Sequence, residues 1–160
     1  MPTDSLIDAL DARLIDVLAR FPRVGVLETA RRLRVARGTA QARLDRLQQR
    51  GVIAGFGPDI DVVALGYGVT AFATLEIAQG RGRHVEEHLA QIPEVLEAHT
   101  ITGPGDLLVR LVARSNNHLQ SVIDQVLEVD GIRRTATVIA LSSPVRYRVL
   151  PLVAQAGGTE

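Results

Sequence analysis

Cysteine, tryptophan and lysine are all absent from this 160-residue chain, and aromatic residues make up only 3% of it. Without thiols there can be no disulfide and no thiolate metal site. With so few aromatics, stacking on unpaired bases is a poor binding mode, which disfavours a reader of single strands. Without lysine, all eighteen basic residues are arginine, so every cationic contact must come from a planar guanidinium fork. Long apolar runs are missing too. The N-terminal MPTDSLIDALDARL carries acids early and resembles neither a signal peptide nor a membrane span, so a soluble cytoplasmic protein is expected. There is no nucleophile elbow and no phosphate-loop motif. The stretch QGRGRH at 79–84 lacks the full glycine spacing of a nucleotide cradle and reads as a connecting loop.

What is present is apolar and unevenly charged. Hydrophobic residues make up 46% of the chain, enough to fill one sizeable core or two small ones. The formal net charge is zero, yet nine arginines and only two acids, Glu28 and Asp45, lie between Arg20 and Arg50. Such a concentrated basic segment suits a phosphate backbone.

That segment is helical in pattern. Leu6, Leu10, Leu14, Val17 and Leu18 mark a first helix, with Asp4 or Ser5 as its cap and Pro22 after its end. A second short helix is expected over about 26–33, a turn at Arg34-Val35-Ala36, and a third helix over about 37–50, closed by Gly51. Short strands interrupted by Gly55, Gly57 and Pro58 suit a β-wing and a linker, completing a winged helix-turn-helix over residues 1–62.

The remainder alternates differently. Strand-like runs cover 69–77, 95–102, 107–113 and 132–141, and helical runs cover 84–91 and 116–129. The order βαββαβ predicts a ferredoxin-like sandwich over residues 63–150, an antiparallel sheet with both helices on one face. The class is therefore α+β. The other sheet face has no helix to cover it and should be buried by a second copy of the chain. Residues 151–160 read as a C-terminal tail, frayed over 154–160.

On the third helix, Ala40, Leu44 and Leu47 form the core stripe, and small residues near its start, Gly38 among them, let it approach a groove floor. Thr39 and Gln41 are candidates for base contact. Arg37, Arg43 and Arg46 are candidates for phosphate contact, assisted by Arg31, Arg32 and Arg34. Asp45 fits this face badly. The turn Thr102-Gly103-Pro104-Gly105-Asp106 can be an ordinary hairpin connection. It can also be a zwitterion site, with free amides for an α-carboxylate and Asp106 for an α-ammonium. His84 and His88 match the H-x-x-E-H zinc pattern, but no further ligand stands at a telling place, so they read as a solvated helix face and no metal is expected. His99 and His118 have no partners that suggest catalysis.

The chain resembles the Lrp/AsnC family of bacterial and archaeal regulators. The resemblance is carried by Leu10-Asp11, Leu14, Leu18, Ala30, Leu44, Leu47 and Arg50-Gly51-Val52-Ile53 in the N-terminal half. It continues through Gly66 and Thr70-Ala71-Phe72 to Thr102-Gly103, Asp106, Asp130-Gly131-Ile132, Thr135 and Thr137. It implies a regulator that binds double-stranded DNA and is not an enzyme. It also implies a homodimer that assembles to octamers, no cofactor, and an amino-acid effector held near Thr102, Gly103, Pro104, Gly105, Asp106, Thr135 and Thr137. Two positions depart from the family pattern: Arg34 stands where the helix-turn-helix usually has a small residue, and Leu107 where an aromatic often follows the aspartate. Two alternatives remain open at this level: an enzyme similar to the siroheme decarboxylases on the same scaffold, and an architectural DNA binder without an effector.

Overall fold

A computed structural model describes residues 7–158. The described residues up to Pro58, together with those from Val145 onward, form one compact unit; Asp59–Pro144 form another. The break thus falls four residues before the one expected after residue 62.

The first unit is helical. Helix α1 (Ala9–Arg20) starts at Asp8, whose carboxylate accepts from the Asp11 amide while the Asp11 carboxylate accepts from the Asp8 amide. This reciprocal capping box satisfies two amide donors, one at the N-cap and one in the first turn. The cap is therefore Asp8; Asp4 and Ser5 lie outside the described residues. Helix α2 (Val26–Leu33) ends at Arg34, which takes the left-handed conformation (φ 58°, ψ 45°), and helix α3 (Arg37–Gln49) follows. Arg34 is the sole non-glycine with positive φ among the described residues, so this turn holds an arginine in a conformation that favours glycine. Leu14, Leu33 and Leu47 are fully buried at the centre, with Leu10, Leu44 and Ile53 packed around them.

Two expectations fail here. Residues 51–68 contain no strand, so an irregular segment stands where a β-wing was expected. A strand needs a partner for its ladder, a lone hairpin is marginal, and Gly55, Gly57 and Pro58 interrupt this one. Residues 151–156, expected as part of a tail frayed from 154 onward, belong to helix α6 (Leu150–Ala156), whose Val153 packs against the core of this unit. The space beside Gly157 is closed by the Ala12 side chain and the Asp8 carbonyl.

The second unit is a four-stranded antiparallel sheet of β1 (Val69–Ile77), β2 (Val95–Thr100), β3 (Leu107–Ala113) and β4 (Ile132–Ile139), in the order β2-β3-β1-β4. Helices α4 (Gly82–Leu89) and α5 (Asn116–Leu127) sit at the two crossovers, and Ser115 caps α5 through the His118 amide. Ala71, Ala73 and Leu75 of β1 stand opposite Leu111, Val109 and Leu107 of β3, and all six are buried with Val85, Leu89, Val122 and Val126 of the helices. Alternation sends Phe72, Leu108, Arg110 and Val138 to the other face, where no helix of this unit lies. No helix among the described residues is long and apolar enough to cross a membrane.

Candidate nucleic-acid interface and effector loop

Helix α3 buries Ala40 and Leu47 and leaves Gly38, Thr39, Gln41, Ala42 and Asp45 exposed. A methyl group at Gly38 would meet nothing within 4 Å. The fold therefore has no internal reason for glycine there, although glycine in a helix costs about 1 kcal/mol relative to alanine. The exposed Gln41 amide donates to Asp45 at 2.7 Å, which explains how Asp45 is tolerated on this face.

The nine arginines of the basic segment are not equivalent. The Arg20 guanidinium is paired with Asp16 at 2.8 Å, and that of Arg32 with Glu28 at 3.1 Å; Arg32 also lies 4.0 Å over the Phe21 ring. Arg31 reaches Glu28 only at 3.9 Å and is largely exposed. Arg23, Arg34, Arg37 and Arg50 have no side-chain partner among the described residues. Arg34 ends α2 and Arg37 is the first residue of α3.

Arg43 departs most from expectation. Instead of facing outward for phosphate, it is held by Asp8 at 2.6 Å and Asp11 at 2.9 Å, and its side chain is only 24% exposed. Asp8 keeps the Arg43 proton on well beyond the ordinary range, and Arg43 in turn draws the Asp8 carboxyl below the usual carboxylate value. Arg46 donates to the other Asp11 oxygen at 2.7 Å but remains 46% exposed, whereas the Asp11 side chain is 1% exposed. Sequence reasoning missed this network because it spans more than thirty residues; the i, i+3 pair Asp8 and Asp11 is its one local signal.

In the second unit, residues 101–106 form an irregular turn between β2 and β3. Its C-terminal end is tied to β1: the Asp106 amide donates to the Leu75 carbonyl at 2.8 Å, and the Asp106 carboxylate accepts from the Ile77 amide at 2.6 Å. Gly105 has φ 107°, and a Cβ there would collide with the Thr74 methyl and crowd the Leu75 carbonyl at 3.2 Å, so any other residue is strained there. Thr102, Gly103, Pro104 and Asp106 are exposed. Thr135 and Thr137 stand opposite Leu75 and Ala73, on the helix-covered face, whereas the turn leans on Thr74, which alternation points the other way. One chain thus does not converge the two threonines with the turn.

The histidines do not converge either. His88 hydrogen-bonds the Gln125 carbonyl at 2.8 Å, tying α4 to α5, and His84 is exposed one turn earlier. His118 accepts from the Arg114 amide and stands 3.6 Å from Glu94; His99 lies 3.3 Å from Glu97 on β2. Arg110 also pairs with Glu97 and holds that carboxyl below its usual range.

Residues 70–150 match the family model of the Lrp/AsnC ligand binding domain. An uncharacterised HTH-type transcriptional regulator of Pyrococcus furiosus is 33% identical over 135 residues, covering 84% of this chain and 91% of the relative. Among solved structures, Escherichia coli AsnC superposes with a TM-score of 0.84 at 29% identity, covering 91% of this chain and 99% of that one. The feast or famine regulatory protein of Mycobacterium tuberculosis, complexed with L-methionine, shares the fold with a TM-score of 0.77 at 24% identity, over 88% of this chain and 96% of that one. From the loop between β2 and β3 to the three-helix head, the chain belongs to the Lrp/AsnC family.

Proposed function

We propose that this chain is a transcription regulator that binds double-stranded DNA through its first unit and an amino acid through its second. The first unit works as a helix-turn-helix, with residues 51–62 as an irregular wing and linker. The observation that carries this reading is the exposed start of α3: Gly38, Thr39 and Gln41 are open to solvent, and Arg34 and Arg37, just before them in the chain, are exposed and have no side-chain partner among the described residues. Small residues let that end reach the major-groove floor, Thr39 and Gln41 meet base edges, and Arg31, Arg34, Arg37 and Arg46 hold phosphates. Arg32 supports this set from its stack on Phe21; Arg43 serves the fold.

The second unit is a ferredoxin-like effector and oligomerisation domain. Its sheet order and its helix-free face, where Val138 is 64% exposed, support a homodimer that buries that face and assembles further to octamers. The turn from Thr102 to Asp106 receives the effector: exposed amides face the α-carboxylate, and the free oxygen of Asp106 faces the α-ammonium. The methionine bound by the mycobacterial relative supports the amino-acid class. Ligand would act by its differential affinity for the oligomeric or DNA-bound states.

A gel shift on the protein's own upstream region tests the core of this reading. Binding should weaken steeply with salt, and Arg37→Ala should lower affinity on every sequence by about the same factor. Unchanged affinity in Arg37→Ala would remove the phosphate assignment. A thermal-shift screen of the twenty amino acids tests the effector, since a ligand of the native state raises its melting temperature.

A further inference from the structure

The Asp8, Asp11, Arg43 and Arg46 cluster holds two carboxylates and two guanidinium groups, yet its members differ in exposure. Asp11 is buried and uses both oxygens on arginine: Oδ1 takes Arg43 Nη1 at 2.9 Å and Oδ2 takes Arg46 Nη2 at 2.7 Å. Arg43 is held from a second side by Asp8. Among the described residues Arg46 has only the Asp11 contact, and nearly half of its side chain faces solvent. A guanidinium is a rigid plane with donors on more than one edge. Fixing one edge of Arg46 on a buried carboxylate therefore aims the remaining donors outward from α3, in a direction set before any DNA arrives.

From this geometry, and resting on the DNA-binding reading above, we infer that Asp11 is a positioning residue for DNA recognition: it aims Arg46 at a backbone phosphate, with Arg43 as the inner brace. Asp11 itself touches no DNA. Preorientation of this kind raises affinity by reducing the ordering cost of binding.

The sign of the effect separates aiming from simple charge. Asp8→Asn and Asp11→Asn each remove one negative charge from the same cluster. If only the field mattered, both would tighten binding to a polyanion. Aiming predicts that Asp11→Asn weakens binding about tenfold while Asp8→Asn does not weaken it. Arg46→Ala should weaken binding and lower the slope of log affinity against log salt by about one phosphate contact. Adding Asp11→Asn to Arg46→Ala should then cost no more than about a further twofold, because the residue being aimed is gone.

The experiment is fluorescence anisotropy of the full chain on a duplex across a salt series, with melting curves establishing that each variant is folded. Tighter or unchanged binding by folded Asp11→Asn, or an unaltered salt slope in Arg46→Ala, overturns the inference. A measurement on the wild-type chain needs no substitution: side-chain 15N relaxation should find Arg46 Nε as rigid as the α3 backbone and Arg37 Nε mobile. A mobile Arg46 also overturns it. A wild-type chain that binds no duplex at any salt overturns instead the DNA-binding reading on which the inference rests.

Discussion

The two units are stabilised by different chemistry. Both buried polar residues among the described ones, Asp11 and Thr29, lie in the first unit, where Asp11 anchors ion pairs between α1 and α3. The core of the second unit is wholly apolar, built from alanine, valine, leucine and isoleucine on one sheet face and two helices. The helical head is small and holds its geometry partly with charge. The sheet unit holds its turn and its helices by volume. Salt and pH should therefore act on the head, and loss of volume on the sheet unit.

The largest effect should come from the apolar side. Leu75 of β1 is fully buried, and Leu75→Ala should cost about 2–5 kcal/mol in urea denaturation followed by circular dichroism. A loss below 1 kcal/mol would show that the sheet core is not close-packed. Next is the turn: Gly105→Ala imposes both an unfavourable φ and a collision with Thr74, and should cost about 1–3 kcal/mol by the same assay while weakening effector response.

The ionic side is smaller and depends on pH. Asp8 is half exposed, so its pair with Arg43 should contribute no more than about 1 kcal/mol, and asparagine caps α1 as well as aspartate does. Its folded pKa lies below the ordinary 3.8 because Arg43 favours the carboxylate. The stabilisation is therefore fully present above that value and is lost as pH falls through the lower folded one. Melting temperatures at pH 7 and pH 3 should drop less for Asp8→Asn than for wild type. Glu97 in the sheet unit is depressed in the same direction and serves as an internal reference common to both proteins. The smallest effect should be a gain: Arg34→Gly relieves a left-handed arginine and should stabilise the head by about 1 kcal/mol in thermal melts, while weakening DNA binding through the lost cation.

The same contrast explains what could be read in advance. Strands β1 and β3 are legible to the residue, because strand-like apolar runs lie between turn-forming residues, Gly68 and Gly80 around β1 and Gly105-Asp106 and Ser115 around β3. Helix α4 begins two residues before its expected start, since Arg81 at its N-cap offers no side-chain capping signal. The wing was overread because β-like composition cannot supply the partner strand it needs. Helix α6 was missed because Pro151 suggests a break, although proline is tolerated in a first turn. The exposure of Gly38, Thr39 and Arg37, proposed to face DNA, follows from helical period alone. The role of Arg43 could not be read that way, because it depends on carboxylates more than thirty residues distant. Thr135 and Thr137 share a strand spacing with the turn's neighbours, but their face is set by pairing with Leu75 and Ala73, which only the sheet register reveals.

The central claim is that the start of α3, together with Arg34 and Arg37, is the surface that meets duplex DNA. Amide hydrogen exchange of the full chain, with and without a duplex from its own upstream region, tests it most directly. The account predicts new protection concentrated between Arg34 and Arg46. Protection confined to the second unit, or no change at α3 under conditions where the duplex is bound, would contradict it.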